Sequence, residues 1–345
     1  MTSSPLAADL QHVLEHTSDL WTELKGKRLF ITGGTGFCGT WLLESFVWAC
    51  DTLGLNAEAL VLTRRPDAFR IKVPHIATHS CVRVLQGDVR TFEFHEAPCA
   101  FIIHAASDVA TGRTSRADGA TTDVIVGGTQ RVLDFGRQSH VRKVLFVSSG
   151  AVYGRQTVSC VAEDEADAHR IGHASDYGEA KRLGELMCER SGLDVKIARG
   201  FAFVGPHLPL NGGFAIGNFI RDALKGGPVR VAGDGTPRRS YLYAADLVIW
   251  LWTILFRGAP ARAYNVGSDH DVSIADAARI VASSAGTAVP VVIERAPGGA
   301  QAPERYVPDT RRAKQELGLC EWIDLRESVI RTVAWHRRLQ DMEAI

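Results

Sequence analysis

"ITGGTGFCGTWLLESF", Ile31 to Phe46, places four glycines within seven positions and then runs into an apolar, helix-like stretch. Glycine inside a regular element costs roughly 0.5–1 kcal/mol relative to alanine, so such a cluster marks a place that needs backbone freedom or close approach. Gly33, Gly36 and Gly39 form G-x-x-G-x-x-G between a short apolar strand, Arg28 to Thr32, and a helix expected from about Phe37 to Cys50. In that setting glycines permit a tight turn, close approach of a pyrophosphate to the backbone, and close packing of helix on strand. The helix N-terminus then offers unpaired amides and a partial positive charge to phosphates. An ordinary glycine-rich turn is the plain alternative. A strand before and a helix after favour dinucleotide binding.

Outward from this motif, short apolar runs alternate with helical patterns. "EALVLTRR", "VRVLQGD", "AFIIHAAS", "RKVLFVSSG" and "LDVKIARG" read as strands, and "TTDVIVGGTQRVLDFGRQ" and "DYGEAKRLGELMCERSG" as helices, the latter closing near Gly192. This alternation predicts an α/β fold, a doubly wound parallel sheet of Rossmann type covered on both faces. An amphipathic helix is expected within residues 6–25, so residues 1–26 form an N-terminal helical extension. Residues 27–200 then make the dinucleotide-binding domain. Beyond about Phe201 glycine and proline rise, and residues 201–345 are assigned mainly to a smaller C-terminal α/β substrate lobe. Helices are expected there at 214–224, 245–256, 274–284 and 325–339, with Ser273 and Asp276 as a capping box for the third.

The 345 residues carry 39 lysines and arginines against 39 aspartates and glutamates, so no field of one sign points to nucleic acid or an anionic membrane. The seven cysteines include no CxxC pair, which argues for reduced thiols in a cytoplasmic protein and against a disulfide framework or thiolate zinc site. The N-terminus lacks the basic-then-apolar pattern of a secretory signal. The longest apolar run, Leu247 to Phe256, has ten residues, too short to span a bilayer.

The strand that would carry the ribose-binding carboxylate of an NAD site ends instead in Thr63, Arg64 and Arg65. A guanidinium there suits a 2′-phosphate, which favours NADP over NAD. Solvated arginines, or a ribose contact from Asp67, are the alternatives. Further along, Tyr177 and Lys181 are spaced i, i+4 on one helix face, and Ser149 ends a strand directed to the same crevice. A tyrosine is a poor base at neutral pH, but a nearby ammonium and a positive nicotinamide would stabilise its phenolate. Ser149 would hold a substrate oxygen while Tyr177 passes the proton. Tyr-x-x-x-Lys alone is weak; with the glycine fingerprint and Ser149 it is strong.

Together these stretches resemble the extended short-chain dehydrogenases/reductases, specifically the NAD-dependent epimerase/dehydratase family that modifies nucleotide sugars. The matching segments run in order from "TGGTGFCG" through "GDVR" (87–90), "HAAS" (104–107), "SSGAVYG" (148–154), "YGEAK" (177–181), "VGP" (204–206), "GDGTPRRSYLYAADL" (233–247) and "YNVGS" (264–268) to "RYVPDTRRA" (305–313). The resemblance implies a catalytic triad of Ser149, Tyr177 and Lys181. Its implied cofactor set is Gly33, Gly36, Phe37, Gly39, Arg64, Asp88, Val89, Ala105, Ala106 and Ser107 beside Tyr177 and Lys181. The implied substrate set is Ser149, Asn218, Arg239 and Arg305, the arginines facing the diphosphate. A nucleoside-diphosphate sugar partner follows, as does a homodimer built on helices near 121–137 and 177–191.

Departures narrow the chemistry. Dehydratases and decarboxylases of the family carry an acidic residue two positions after the triad Ser/Thr; here that place is Ala151. The family's usual asparagines are replaced by Ala202 and Ile125. Reduction of a 4-keto sugar by NADPH and NAD-dependent 4-epimerisation both fit, with reduction slightly preferred. A non-catalytic dinucleotide sensor is the rival of another class, and an intact triad argues against it. His75 with His79, and His169 with His173, have helical metal-ligand spacing but no clear third ligand, so no metal is expected.

Overall fold

The structure, a computed structural model, describes residues 4–94, 98–107, 120–164, 175–286, 289–296 and 303–343. His169 and His173 lie outside them. Along the chain run α1 (Ala7–His16), β1 (Arg28–Thr32), α2 (Phe37–Leu53), β2 (Glu58–Thr63), α3 (Pro66–Lys72), α4 (Pro74–Ala77), β3 (Val82–Gln86), β4 (Phe101–His104), α5 (Ala120–Gln138), β5 (Lys143–Ser149), α6 (Asp176–Glu189) and β6 (Val195–Gly200). There follow β7 (Phe203–Val204), α7 (Ala215–Leu224), β8 (Val229–Val231), β9 (Arg238–Ser240), β10 (Leu242–Tyr243), α8 (Ala244–Arg257), β11 (Arg262–Val266), β12 (Asp271–Ser273), α9 (Ile274–Ser284), β13 (Val291–Ile293), β14 (Arg305–Tyr306), α10 (Arg311–Leu317) and α11 (Leu325–Glu343).

Seven parallel strands form the main sheet in the order β11-β6-β5-β4-β1-β2-β3. β1 sits between β2 and β4, with Ile31 opposite Val61 on one side and Ile103 on the other. The chain therefore winds outward through β2 and β3, then crosses over to β4. That reversal leaves a crevice beyond the carboxyl ends of β1 and β4, where ligands bind in such sheets. Strands this apolar demand cover on both faces. One face is covered by α2, α8 and α1, whose Trp41, Trp250, Trp252 and Val13 belong to a single buried cluster; Phe30, Phe135 and Phe146 fill the other.

The sheet draws on the chain beyond residue 200. The seventh strand is β11, and α8, with every residue from Ala244 to Phe256 buried, lies under β5 and β6. The ten-residue apolar run thus serves as a core helix. The remaining lobe packs α7, α9 and α11 on the pair β8–β13, with a second small sheet, β12-β9-β14, beside it. Ser273 caps α9 as the sequence suggests: its hydroxyl accepts from the Asp276 amide at 3.0 Å and donates to the Asp276 carboxylate at 2.7 Å. α6 ends at Glu189, three residues short of Gly192, which takes a left-handed φ of 73° in the following turn. Among the described residues no helix is long and apolar enough to cross a membrane.

Candidate functional site

The glycine motif makes the floor of the crevice. Gly33 has φ 73°, and a Cβ on it would lie 2.5 Å from the Ala105 carbonyl, so β1 and β4 come together only over a bare backbone. A Cβ on Gly39 would lie 2.2 Å from the Gly33 oxygen, which fixes how closely α2 approaches β1. Gly36 caps α2 in extended backbone without a side-chain hydrogen bond, leaving the first-turn amides turned to the crevice for an anion. The cavity above measures about 1200 Å³. Its walls include Gly33, Gly36, Phe37, Gly39, Arg64, Asp88, Val89, Ala105, Ala106 and Ser107 at one end, and Ser149, Tyr177, Lys181, Asn218 and Arg239 toward the lobe. A glycine cradle under a helix N-terminus, in a cavity of this volume, fits a dinucleotide.

Cations gather where β2 ends. Arg64, Arg65 and Lys72 all line the cavity, and Lys72 Nζ donates to the Thr35 carbonyl at 2.9 Å, bridging α3 to the glycine loop. The carboxylate on this side, Asp88, is engaged by Arg90 through two hydrogen bonds of 2.9 Å. That pairing, aided by Arg64, holds the Asp88 carboxyl down to about 2. Asp67 does not line the cavity; it is exposed and paired with Arg70.

At the centre, the Tyr177 phenol shares the cavity wall with the Ser149 and Ser107 hydroxyls, which favour its ionised form. Burial raises the phenol above its ordinary value, with the two serines opposing it. Lys181 stands one helical turn on, its Nζ 5.9 Å from the Tyr177 ring centre and donating to the Val147 carbonyl at 2.8 Å. Burial lowers the ammonium to about 8, the Glu185 charge partly offsetting it. The phenol is thus raised by burial where the sequence reading expected Lys181 to lower it, and the lysine points to the β5 backbone. The Cys38 thiol, also on the cavity wall, is pushed up to about 12 by burial and stays protonated.

A buried ionic network holds this face in place. Ser148 donates to Glu185 at 2.5 Å, and Glu185 pairs with Arg199 of β6 at 2.8 Å. Arg199 also donates to the Tyr153 hydroxyl at 3.0 Å, and that hydroxyl donates to Asn265 at 2.6 Å. The network ties α6, which carries Tyr177 and Lys181, to β5, β6 and β11. Next to the glycine floor, burial lowers His104 to about 3, so it is a neutral ring shared between Thr32 at 2.6 Å and Thr129 at 3.2 Å.

Two placements differ from the sequence reading. Arg305 does not line the cavity; its guanidinium donates to Asp271 at 2.8 Å. Successive residues of a strand face opposite sides, so in β14 it is Tyr306 that enters the cavity. Tyr306 is the residue the sequence reading missed. Its hydroxyl lies 3.3 Å from Ser149 Oγ and 3.3 Å from the Gly200 carbonyl, and its ring packs on Phe201. Burial pushes the Tyr306 phenol up to about 12. Its signal was the β-period of "RY" beside a matched arginine. His75 and His79 also part: His75 meets Glu44 at 2.9 Å, whereas His79 meets Asp51 at 3.2 Å.

A sequence model of the NAD dependent epimerase/dehydratase family matches residues 29–267. UDP-glucuronic acid decarboxylase 1 of Xenopus tropicalis is 28% identical, over 94% of this chain and 75% of its own. Among solved structures, UDP-glucose 4-epimerase of Thermotoga maritima, determined with UDP-glucose, superposes with a TM-score of 0.76 at 20% identity, covering 91% of this chain and 99% of that one. The dTDP-glucose 4,6-dehydratase of Streptomyces venezuelae, determined with NAD, gives 0.77 at 24% identity, covering 91% and 98%. These likenesses show the extended Rossmann fold.

Proposed function

The chain belongs to the NAD dependent epimerase/dehydratase family, and from that premise we propose that it carries out hydride transfer at C4 of a nucleoside-diphosphate sugar, reducing a 4-keto sugar with NADPH. The observation that carries this reading is the grouping of Ser149, Tyr177 and Lys181 on one cavity wall, with a methyl group at Ala151 where elimination chemistry needs an acid or base. A bound nicotinamide dinucleotide supplies or accepts the hydride.

The chain's own residues do the rest. Ser149 Oγ–H holds the sugar oxygen. Tyr177 gives it a proton as it turns from carbonyl to hydroxyl, and Lys181 steadies the phenolate that remains. Positioned proton transfer of this kind contributes about 10²–10⁴-fold. Lost C–O or C–C bonds would require a further base near C5 or a carboxylate. Beside Ala151, a Cβ on Gly150 would meet the Phe201 ring and the Tyr306 hydroxyl, and a phenol pushed to about 12 is no base at neutral pH. The ring and phenol of Tyr306 instead shape the sugar pocket. Arg239 and Asn218 face the same cavity and suit the diphosphate.

Arg64, Arg65 and Lys72 support a 2′-phosphate at the far end. Epimerisation with retained NAD is the second reading, favoured by the NAD dependence of the family. We place the enzyme in the cytoplasm and expect a homodimer formed through α5 and α6, where Leu183 is 45% exposed. Denaturing the purified protein and identifying what it releases separates the two chemistries. Reduction predicts no retained nucleotide and tight uptake of added NADPH; released NAD would replace this reading with the epimerase.

A further inference from the structure

α2 begins at the glycine floor and runs 17 residues away from it, so its last turn lies at the opposite end of the sheet, where β3 starts. Cys50 and Asp51 occupy that last turn, and His79 and Cys81 precede β3. None of the four lines the crevice. His79 Nε2 lies 3.2 Å from Asp51 Oδ1. Nδ1 of the same ring lies 3.1 Å from Cys81 Sγ and accepts the Cys81 amide at 3.3 Å. A carboxylate taking the Nε2 proton leaves the Nδ1 lone pair facing the sulfur, the tautomer that can accept a thiol proton.

The second thiol completes the group. Cys50, next to the Asp51 that His79 meets, lies near enough to Cys81 for each thiol to act on the other's ionisation. The neighbouring Cys50 thiol, followed by the charge of His79 at 3.1 Å, draws Cys81 down to about 7 against its burial. The other six thiols are all raised, five of them by burial first and Cys50 by the shared proton. Cys50 and Cys81 are both partly exposed, and Asp51 at the rim is 62% exposed, so the group lies at the surface of the molecule.

We propose that Cys81 and Cys50 form an oxidisable dithiol site, in which Cys81 reacts with a peroxide and Cys50 resolves the product to a disulfide, with His79 and Asp51 handling the protons. The Cys81 thiolate attacks one peroxide oxygen. The O–O bond breaks, and the leaving hydroxide takes the imidazolium proton of His79 to become water. Cys81 is thereby oxidised to a sulfenic acid, and the peroxide is reduced by two electrons. His79, now neutral, accepts the Cys50 proton as that sulfur attacks Cys81. The S–S bond forms, the S–O bond breaks, and the hydroxide leaves as a second water. Two thiols and one hydrogen peroxide give one disulfide and two waters. The chemistry follows from thiolate character and access, which no other cysteine of the chain combines.

The test uses the reduced full-length protein. It is treated with substoichiometric hydrogen peroxide, blocked with N-ethylmaleimide, digested without reductant and analysed by mass spectrometry. The expected product joins the Cys50 and Cys81 peptides, with the other five cysteines carrying maleimide. In Cys50→Ser, dimedone should trap a sulfenic acid on Cys81. In His79→Asn, disulfide formation should slow by about tenfold, as the thiolate fraction falls. Maleimide on both Cys50 and Cys81 of the wild type after peroxide, or oxidation directed to another cysteine, overturns the site. An unchanged rate in His79→Asn removes the proton relay.

Discussion

Ser149, Tyr177 and Tyr306 bring three hydroxyls to one wall of the cavity, and burial assigns their roles. Burial raises Tyr177 against the opposing effect of the Ser149 and Ser107 hydroxyls, whereas Tyr306 reaches about 12. Lys181, lowered to about 8, is the titratable group nearest physiological pH in this patch. It is an ammonium below that value and a neutral amine above it, and the amine cannot steady a phenolate. Turnover, measured as kcat/KM, should therefore fall as pH rises through about 8. Lys181→Arg, which stays charged, should lose rate at neutral pH through altered geometry but lose the alkaline limb as well. A wild-type profile flat to well above that pH would show that the lysine charge does not matter to the reaction.

At the scale of elements, the two ends of α2 separate sterics from conformation. Gly39→Ala puts a methyl 2.2 Å from the Gly33 oxygen, so α2 must move off β1. Overpacking of this kind costs about 1–3 kcal/mol, and the displaced amides should abolish dinucleotide binding in a titration. Gly54, at the other end, has φ 58° and open space around its Cβ position. Gly54→Ala should cost about 1 kcal/mol in a thermal melt and leave binding intact. Equal effects on binding would show that the glycine spacing is not what receives the phosphates. Such elements were legible in the sequence because their causes are local: glycine at a forced contact, alternating apolar runs, Ser273 at a helix start. β11 and Tyr306 were not, because each depends on a distant partner. "RAYNV" becomes the seventh strand only by pairing with β6, and Tyr306 turns inward only because β14 registers Arg305 against Arg238.

Across the whole molecule, the N-terminal extension is part of the core. Asp9 of α1 accepts from the Tyr243 hydroxyl at 2.7 Å and from Arg331 of α11 at 2.5 Å, joining three segments far apart in the chain. Leu10, Val13 and Trp21 are buried around it. Asp9→Ala leaves the Tyr243 phenol without its acceptor and Arg331 with Glu327 as its remaining partner, which costs about 1–3 kcal/mol, and a chemical denaturation curve should show that loss while cofactor affinity stays unchanged. No loss of stability would make α1 a passive appendage. The fold so assembled sets one proton-transfer group in the crevice, and Tyr177→Phe tests it most directly. With NADPH and a panel of UDP- and dTDP-4-keto sugars, the variant should bind cofactor as the wild type does yet turn over about 10²–10⁴-fold more slowly; turnover at the wild-type rate would contradict the account.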